Sequence, residues 1–115
     1  MLWLINFQSI DVEWLNKYIN NSKGKAIIID VRTEQEHKAG YIPKTKYNIP
    51  HDQIADRIGK LKIDSEKDTI IVYCRSGNRS KIAATILENK GYKNVLNLDG
   101  GIKAWTLKGY KLETK

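Results

Sequence analysis

Cysteine is almost absent from this sequence, since Cys74 is the only one among 115 residues. A single cysteine excludes an internal disulfide framework and suits a reducing compartment. Histidine is nearly as scarce, and neither His37 nor His51 has metal-ligand spacing to the other or to Cys74. We therefore predict no metal site. A catalytic Cys–His pair stays open, because folding can bring distant residues together.

Long hydrophobic runs are also missing. Residues 1–7 are mostly apolar, but no basic segment precedes them and no cleavage site follows. The stretch is too short for a signal peptide or a membrane span. The expectation is a cytoplasmic protein that does not enter a membrane, with a leader removed earlier left open.

Arginine-rich runs and the aromatic stacking pattern of RNA-binding modules are absent as well. The net charge of +7 comes largely from lysines scattered between Lys17 and Lys115. We interpret these lysines as a solvated surface that also helps to steer small anions, and we expect no nucleic-acid partner.

What the sequence does contain is an alternation of strands and helices. Residues 26–31 form a continuous apolar run, which is typical of a parallel strand buried on both faces. Further strands are predicted at 69–73 and 94–98, each followed by a helix. With 41% hydrophobic residues, the chain 1–115 is predicted to be one α/β domain. It should have about five mostly parallel strands with helices on both faces.

Local signals predict several smaller elements. Residues 2–7 favour an edge strand, and Ser9 is predicted to begin the first helix. Thr33 and Glu36 form a capping-box pattern that starts a short second helix. The polar segment 108–115 is predicted to be loosely held.

The most informative stretch connects the strand at 69–73 to the following helix. It reads Cys-Arg-Ser-Gly-Asn-Arg-Ser from Cys74 to Ser80. Free backbone N–H groups at a helix start bind anions and favour a thiolate. Arg75 and Arg79 add positive charge beside the thiol. The pattern predicts that Cys74 is an activated nucleophile in an anion-binding loop.

Each remaining residue of this loop has a predicted role. Gly77 permits a tight curl with positive φ, and Asn78 tolerates the left-handed region beside it. Ser80 suits the N-cap of the helix. Successive N–H groups in such a curl form a nest for an anion or a developing negative charge. The predicted substrate-binding residues are Arg75, Ser76, Gly77, Asn78, Arg79 and Ser80.

Two charged residues lie at the carboxyl end of the strand at 26–31. In open α/β sheets, ligands gather at that end of the strands. Asp30 and Arg32 can pair with each other and orient the surrounding loops. We interpret Asp30 as mainly structural support, whereas for Arg32 support and direct chemistry are equally favoured.

Four short motifs, in order, resemble those of the rhodanese, or sulfurtransferase, family. One is the loop at 74–80. The others are Asp30-Val31-Arg32 with Glu36, Gly40-Tyr41-Ile42-Pro43 with Asn48-Ile49-Pro50, and Leu98-Asp99-Gly100-Gly101 with Trp105. Each motif alone is weak, but four in order are specific, and the likeness covers the whole chain. The sequence departs from the family pattern at Tyr41, where His is common, and at Lys44-Thr45, where Gly-Ala is common.

The resemblance implies a rhodanese-like three-layer fold and a sulfur-transfer reaction. A thiolate at Cys74 would take the outer sulfur of a small anionic donor such as thiosulfate. The resulting persulfide would pass this sulfur to cyanide, a thiol or a protein acceptor. Arg75 and Arg79 would hold the donor's oxyanion, and no cofactor is expected.

Three alternatives remain at this point. A cysteine phosphatase or arsenate reductase also uses cysteine in an anion cradle. However, the Cys-x5-Arg signature of cysteine phosphatases would place the arginine at Ser80, whereas here it is Arg79. The shorter loop suits a single sulfur atom better than a phosphoryl group. A non-catalytic rhodanese-like binding module would not need Cys74, and a redox-sensing thiol would have no second cysteine in the chain to resolve a sulfenate.

Overall fold

The structure, a computed structural model, describes residues 7–21 and 24–114. Its strands are β1 (Gln8–Ile10), β2 (Ile27–Asp30), β3 (Thr45–Asn48), β4 (Thr69–Tyr73) and β5 (Asn94–Leu98). Its α-helices are α1 (Val12–Asn21), α2 (Glu34–Ala39), α3 (Ile54–Arg57), α4 (Asn78–Asn89) and α5 (Gly101–Leu107). Short 3₁₀ turns flank α3 at His51–Gln53 and Ile58–Lys60. None of the helices in these described ranges is long and apolar enough to cross a membrane.

The strands of the described residues form one parallel sheet of five, in the order β1-β5-β4-β2-β3. All four residues of β2 are buried, as the apolar run predicted for a central strand. In the register of β2 with β4, Asp30 lies opposite Tyr73. The carboxyl end of β2 is therefore beside the residue that precedes Cys74. The predicted α/β fold is confirmed.

Apolar side chains pack on both faces of the sheet, which gives three layers. Successive strand residues point to opposite faces. Ile29 and Val72 belong to the cluster that includes side chains of α3 and α4, whereas Ile28 and Ile71 pack with residues of α1 and α5. Leu87 of α4 is fully buried, so its truncation to alanine should cost about 2–5 kcal/mol.

The first helix begins later than the sequence suggested. Ser9 lies in β1, and α1 starts after Asp11, whose Oδ1 accepts a hydrogen bond from the Trp14 N–H at 2.8 Å. The prediction that Ser9 starts the helix is wrong, because Asp11 caps it and Ser9 pairs with Asn97 in the sheet. Most of the edge strand predicted at 2–7 falls outside the described residues.

The C-terminal segment is tied to the domain. Tyr41 and Glu113 exchange two backbone hydrogen bonds of 2.8 Å each. The indole N–H of Trp105 donates to the carbonyl of Lys111 at 2.9 Å. The prediction that 108–115 is loosely held is therefore wrong for its described residues, because backbone groups and a buried tryptophan fix them.

Candidate active site

Cys74 follows β4 directly and is only 1% exposed. Its Sγ accepts a hydrogen bond from the backbone N–H of Gly77 at 3.0 Å. Gly77 has a φ of 113°, in the left-handed region that favours glycine, and α4 begins at the next residue. The curl predicted at Gly77 is confirmed, and it turns the backbone N–H back toward the sulfur.

Two of the local roles predicted for this loop are wrong. The N-cap of α4 is Gly77, and Ser80 lies within the first turn of the helix. Asn78 does not use the left-handed region, because among the described residues Lys44 is the only non-glycine with positive φ. Gly77 supplies the whole reversal, so the chain is already helical at Asn78.

Ser80 instead contacts the thiol from inside the helix. Its Oγ donates to the Gly77 carbonyl at 3.1 Å and lies 3.5 Å from Cys74 Sγ, both within the buried part of the loop. A hydroxyl group has one proton but can rotate to suit its neighbours. A neutral thiol can donate to the Ser80 oxygen, and a thiolate can accept the hydroxyl proton in its place.

These contacts shift the pKa of the Cys74 thiol. Burial by itself raises the pKa of the thiol, since a buried anion loses hydration. The hydroxyl of Ser80 and the N–H groups of Ser80, Gly77 and Ser76 outweigh burial, so the pKa lies below its ordinary value. The site therefore favours a thiolate, which is the nucleophilic form of cysteine.

The start of α5 supports the loop from behind. The N–H of Ile102 donates to the Cys74 carbonyl at 2.9 Å, and the N–H of Lys103 donates to the Arg75 carbonyl at 3.0 Å. Gly101 makes this approach possible, because a Cβ there would collide with both carbonyl oxygens. In the sequence, Gly101 stood out only as part of the motif Leu98-Asp99-Gly100-Gly101. Its contact with the loop depends on the sheet order, which places β5 next to β4.

Arg79 and Glu36 form an ion pair that the sequence did not predict. Arg79 Nη1 lies 2.8 Å from Glu36 Oε1, and Nη2 lies 3.0 Å from Oε2. The hydrogen bonds from Arg79 are the main reason that the pKa of Glu36 is lowered to about 2. The predicted capping box with Thr33 is also present. Glu36 therefore joins α2 to the cysteine loop while it caps its own helix.

Asp30 and Arg32 pair with each other, as expected. Arg32 donates to the two Asp30 carboxylate oxygens at 2.9 and 2.7 Å, and also to the Gly40 carbonyl at 2.6 Å. His37 Nδ1 lies 2.9 Å from the same carboxylate, and its ring stacks on Tyr41. His37 is thus held by Asp30. Within residues 7–21 and 24–114, no group of three or more His, Cys, Asp or Glu side chains is placed to hold a metal ion.

A cleft of about 280 Å³ borders the loop on the side of Arg75. The residues that line it include Arg32, Glu36, Arg75, Ile102, Lys103 and Leu112. Two predicted site residues, Arg32 and Arg75, therefore share this cleft. Lys103 lines it too, and no motif in the sequence pointed to that residue.

The comparisons with known proteins agree with this geometry. A family model described as the rhodanese-like domain matches residues 11–108. The chain belongs to the rhodanese-like family. A protein of Allochromatium vinosum named sulfurtransferase is 36% identical over 100 residues, which cover 87% of this chain and 89% of that protein. The family-model match at 11–108 spans the whole candidate site of this rhodanese-like domain.

Solved structures confirm the rhodanese-like fold. A rhodanese-like domain protein from Staphylococcus aureus superposes with a TM-score of 0.79 at 34% identity, covering 95% of this chain and 99% of that one. A protein from Rhodopseudomonas palustris, described as of unknown function and a candidate tyrosine phosphatase, has a TM-score of 0.78 at 21% identity. The alignment covers 93% of this chain and 85% of that one. That second likeness shows the fold alone.

Proposed function

We propose that this rhodanese-like protein is a sulfurtransferase that carries a sulfane sulfur as a persulfide on Cys74. The observation that supports this most directly is the environment of Sγ. The Gly77 N–H at 3.0 Å and the Ser80 hydroxyl at 3.5 Å hold the sulfur of a cysteine whose pKa is lowered. A thiolate surrounded by hydrogen-bond donors can act as a nucleophile, and the same donors can stabilise the negative charge of the persulfide that forms.

The first half-reaction loads the cysteine. The Cys74 thiolate attacks the outer sulfur of thiosulfate and forms a new S–S bond. The S–S bond of thiosulfate breaks, and its electron pair leaves with sulfite. The outer sulfur then carries the negative charge of a persulfide. In the second half-reaction a nucleophilic acceptor takes that sulfur and returns the electron pair of the bond to Sγ, which predicts ping-pong kinetics.

The loop supplies the groups for donor binding in this proposal. Arg75 is exposed beside the cysteine and can form hydrogen bonds with the donor's sulfonate oxygens. Arg79 donates one hydrogen bond from Nη1 and one from Nη2 to Glu36. A guanidinium has five N–H groups, so the others can bind the donor. The exposed Ser76 and Asn78 complete the outer surface of the loop.

Intact-mass measurement tests this function. After incubation with thiosulfate and removal of the excess, the protein should gain the mass of one sulfur atom, and sulfite should appear in equal amount. Cys74→Ser should fold normally and gain nothing. A wild type that folds but never gains sulfur from thiosulfate or another sulfane donor would point instead to a non-catalytic binding module.

The same samples separate sulfur transfer from phosphatase chemistry. Arg79 lies one position closer to the cysteine than in the Cys-x5-Arg loop, so the ring of N–H donors is smaller. We expect no measurable hydrolysis of an aryl phosphate. Insertion of one residue between Gly77 and Asn78 should damage sulfur transfer. Efficient phosphate hydrolysis that disappears in Cys74→Ser would replace the proposed reaction with a phosphatase.

A further inference from the structure

The charges that line the cleft beside Arg75 do not cancel. Arg32 is paired with Asp30, and the carboxylate of Glu36 is paired with Arg79. Among the described residues, neither Arg75 nor Lys103 has a carboxylate within ion-pair distance. The cleft therefore has an excess of positive charge, which comes from Arg75 in the loop and Lys103 in α5. The backbones of these two residues are hydrogen-bonded to each other.

The position of Lys103 is tied to the cysteine loop. Its backbone N–H donates to the Arg75 carbonyl at 3.0 Å, which keeps the α-carbon of residue 103 next to the loop. Its side chain is exposed and lines the cleft. The exposed cationic side chain of Lys103 therefore extends from a backbone position that is fixed beside Arg75, the residue that directly follows Cys74.

The size and walls of the cleft limit what it can bind. Its volume of about 280 Å³ is below the range of roughly 300–1,000 Å³ that is typical for drug-sized ligands. Ala39, Ile102 and Leu112 add apolar surface to the wall. A ligand that fits is small, has a short aliphatic part, and carries a negative charge that Arg75 and Lys103 can bind.

We propose that this cleft is the acceptor site and that it selects a small thiol bearing a carboxylate. The inference rests on the proposed sulfur transfer. In the ping-pong order sulfite leaves before the acceptor binds, so Arg75 contacts the donor first and the acceptor afterwards. Together with Lys103 it then binds the acceptor's carboxylate, and the acceptor's thiolate attacks the outer sulfur of the Cys74 persulfide. A new S–S bond forms on the acceptor, the bond between Sγ and the outer sulfur breaks, and its electron pair restores the Cys74 thiolate. The outer sulfur keeps whatever proton it carries.

Three thiols of similar size test the proposal on protein that has been loaded with thiosulfate and freed of excess donor. They are mercaptopropionate, which has a carboxylate, mercaptoethanol, which is neutral, and cysteamine, which is cationic. The rate of loss of the added sulfur is measured by mass for wild type and Lys103→Gln. Each thiol is compared only with itself, so differences in thiol reactivity cancel.

Lys103→Gln should slow unloading by mercaptopropionate by about 10-fold, the size of effect expected for a lost charge-assisted hydrogen bond. Unloading by mercaptoethanol should change less than about twofold, and unloading by cysteamine should become faster. Lys103→Arg should restore the preference for the carboxylate. Lys90→Gln is the matched control. Lys90 is exposed at the C-terminal end of the twelve-residue α4, about 18 Å along the helix from the cysteine loop at its N-terminal end.

The outcomes separate this inference from the proposed function. If wild type never gains sulfur, the sulfurtransferase proposal itself fails. If both proteins are loaded but Lys103→Gln slows all three thiols equally, or none, the acceptor site is wrong. If Lys103→Gln slows loading by thiosulfate and leaves unloading unchanged, the cleft binds the donor, which also overturns the proposal.

Discussion

Arg79 and Glu36 form a two-point ion pair, with N–O distances of 2.8 and 3.0 Å, that connects the first turn of α4 to α2. Glu36 Oε1 also accepts hydrogen bonds from the N–H and the hydroxyl of Thr33 at 3.1 Å. One carboxylate therefore serves as a helix cap and as an anchor for the cysteine loop. About 30% of each side chain is exposed, so solvent screening reduces the interaction energy of the pair but does not abolish it.

Glu36→Gln should lower the free energy of unfolding at neutral pH by about 1–2 kcal/mol, between the values for exposed ion pairs and for charge-assisted hydrogen bonds. The folded-state pKa of Glu36 is depressed from 4.5 to about 2. The stabilisation is therefore complete above pH 4.5 and is lost as the pH falls toward 2, so the difference between the two proteins should shrink in that range.

Urea unfolding at neutral and acidic pH measures this difference. Glu34→Gln is the control on the same helix, because Glu34 only approaches Lys38 at 3.8 Å and both side chains are mostly exposed. It should cost less than about 0.5 kcal/mol. A difference between wild type and Glu36→Gln that stays constant down to pH 3 would contradict the ion-pair explanation.

Residue pattern predicted the sheet well because burial on both faces leaves a continuous apolar run that is visible locally. It also placed Cys74 between a strand and a helix, since a strand, a polar turn and a helix follow one another without interruption at 69–89. It did not predict the pairing of Glu36 with Arg79. These positions are 43 residues apart, and only the packing of α2 beside the loop brings them together. Glu36 already had a sufficient explanation in its capping box.

The error at Ser80 has a different physical reason. The rules for N-caps favour serine over glycine, but they apply to a helix whose first residues have no further constraint on their backbone conformation. Here the chain must also reverse sharply to aim the Gly77 N–H at the thiol, and the φ of 113° that this needs favours glycine. Ser80 is then moved into the first turn of α4, where its hydroxyl is 3.5 Å from Sγ.

Ser80→Ala tests the hydroxyl. The pKa of Cys74 should rise, because the thiolate loses a donor that lowers it. Persulfide formation from thiosulfate at neutral pH should slow by about tenfold, as expected for a lost hydrogen bond to a charged group. The pH dependence of the thiolate's ultraviolet absorbance gives the pKa directly. In Ser76→Ala the pKa should not change, since Ser76 acts there through its backbone N–H.

Arg75→Gln tests donor binding. The loss of one charge-assisted contact should lower kcat/KM for thiosulfate by about 10- to 100-fold, equivalent to roughly 1.5–3 kcal/mol. The same change should reduce the sensitivity of the reaction to added salt, because screening then has less charge to act on. Arg57→Gln provides the control from α3, where the arginine is exposed and donates to Gln53. Equal rates for both variants would mean that Arg75 does not bind the donor.

Gly101→Ala tests the support of the loop by α5. A methyl group at this position would collide with the carbonyl oxygens of Cys74 and Arg75. The alanine would also have to adopt a φ of 57°, in the left-handed region. We expect a loss of about 2–4 kcal/mol and a raised pKa of Cys74, because the displaced loop loses donors to the sulfur. Gly91→Ala is the matched control, since its φ is 97° and its surroundings are open. It should cost about 1–2 kcal/mol and leave the thiol unaffected. Equal losses in both variants would contradict the steric argument.

Lys44→Gly should stabilise the protein. Lys44 has a φ of 73° between Pro43 and Thr45, and the Thr45 N–H donates to the Ile42 carbonyl at 3.2 Å. Proline followed by a residue with positive φ is the signature of a type II turn, in which glycine is strongly favoured at the third position. Relief of the left-handed strain should raise the free energy of unfolding by up to about 1 kcal/mol, net of the greater entropy of glycine in the unfolded chain.

Two further variants isolate the cause of that gain. Lys44→Ala removes the same side chain but keeps a Cβ in the left-handed region, so its stability should stay within about 0.5 kcal/mol of wild type. Lys46→Gly places glycine two residues later, inside β3, where it should destabilise the sheet. Urea unfolding of all four proteins under one condition gives the comparison. If Lys44→Ala gains as much as Lys44→Gly, the benefit comes from loss of the lysine side chain and its charge, and the backbone of this turn is not strained.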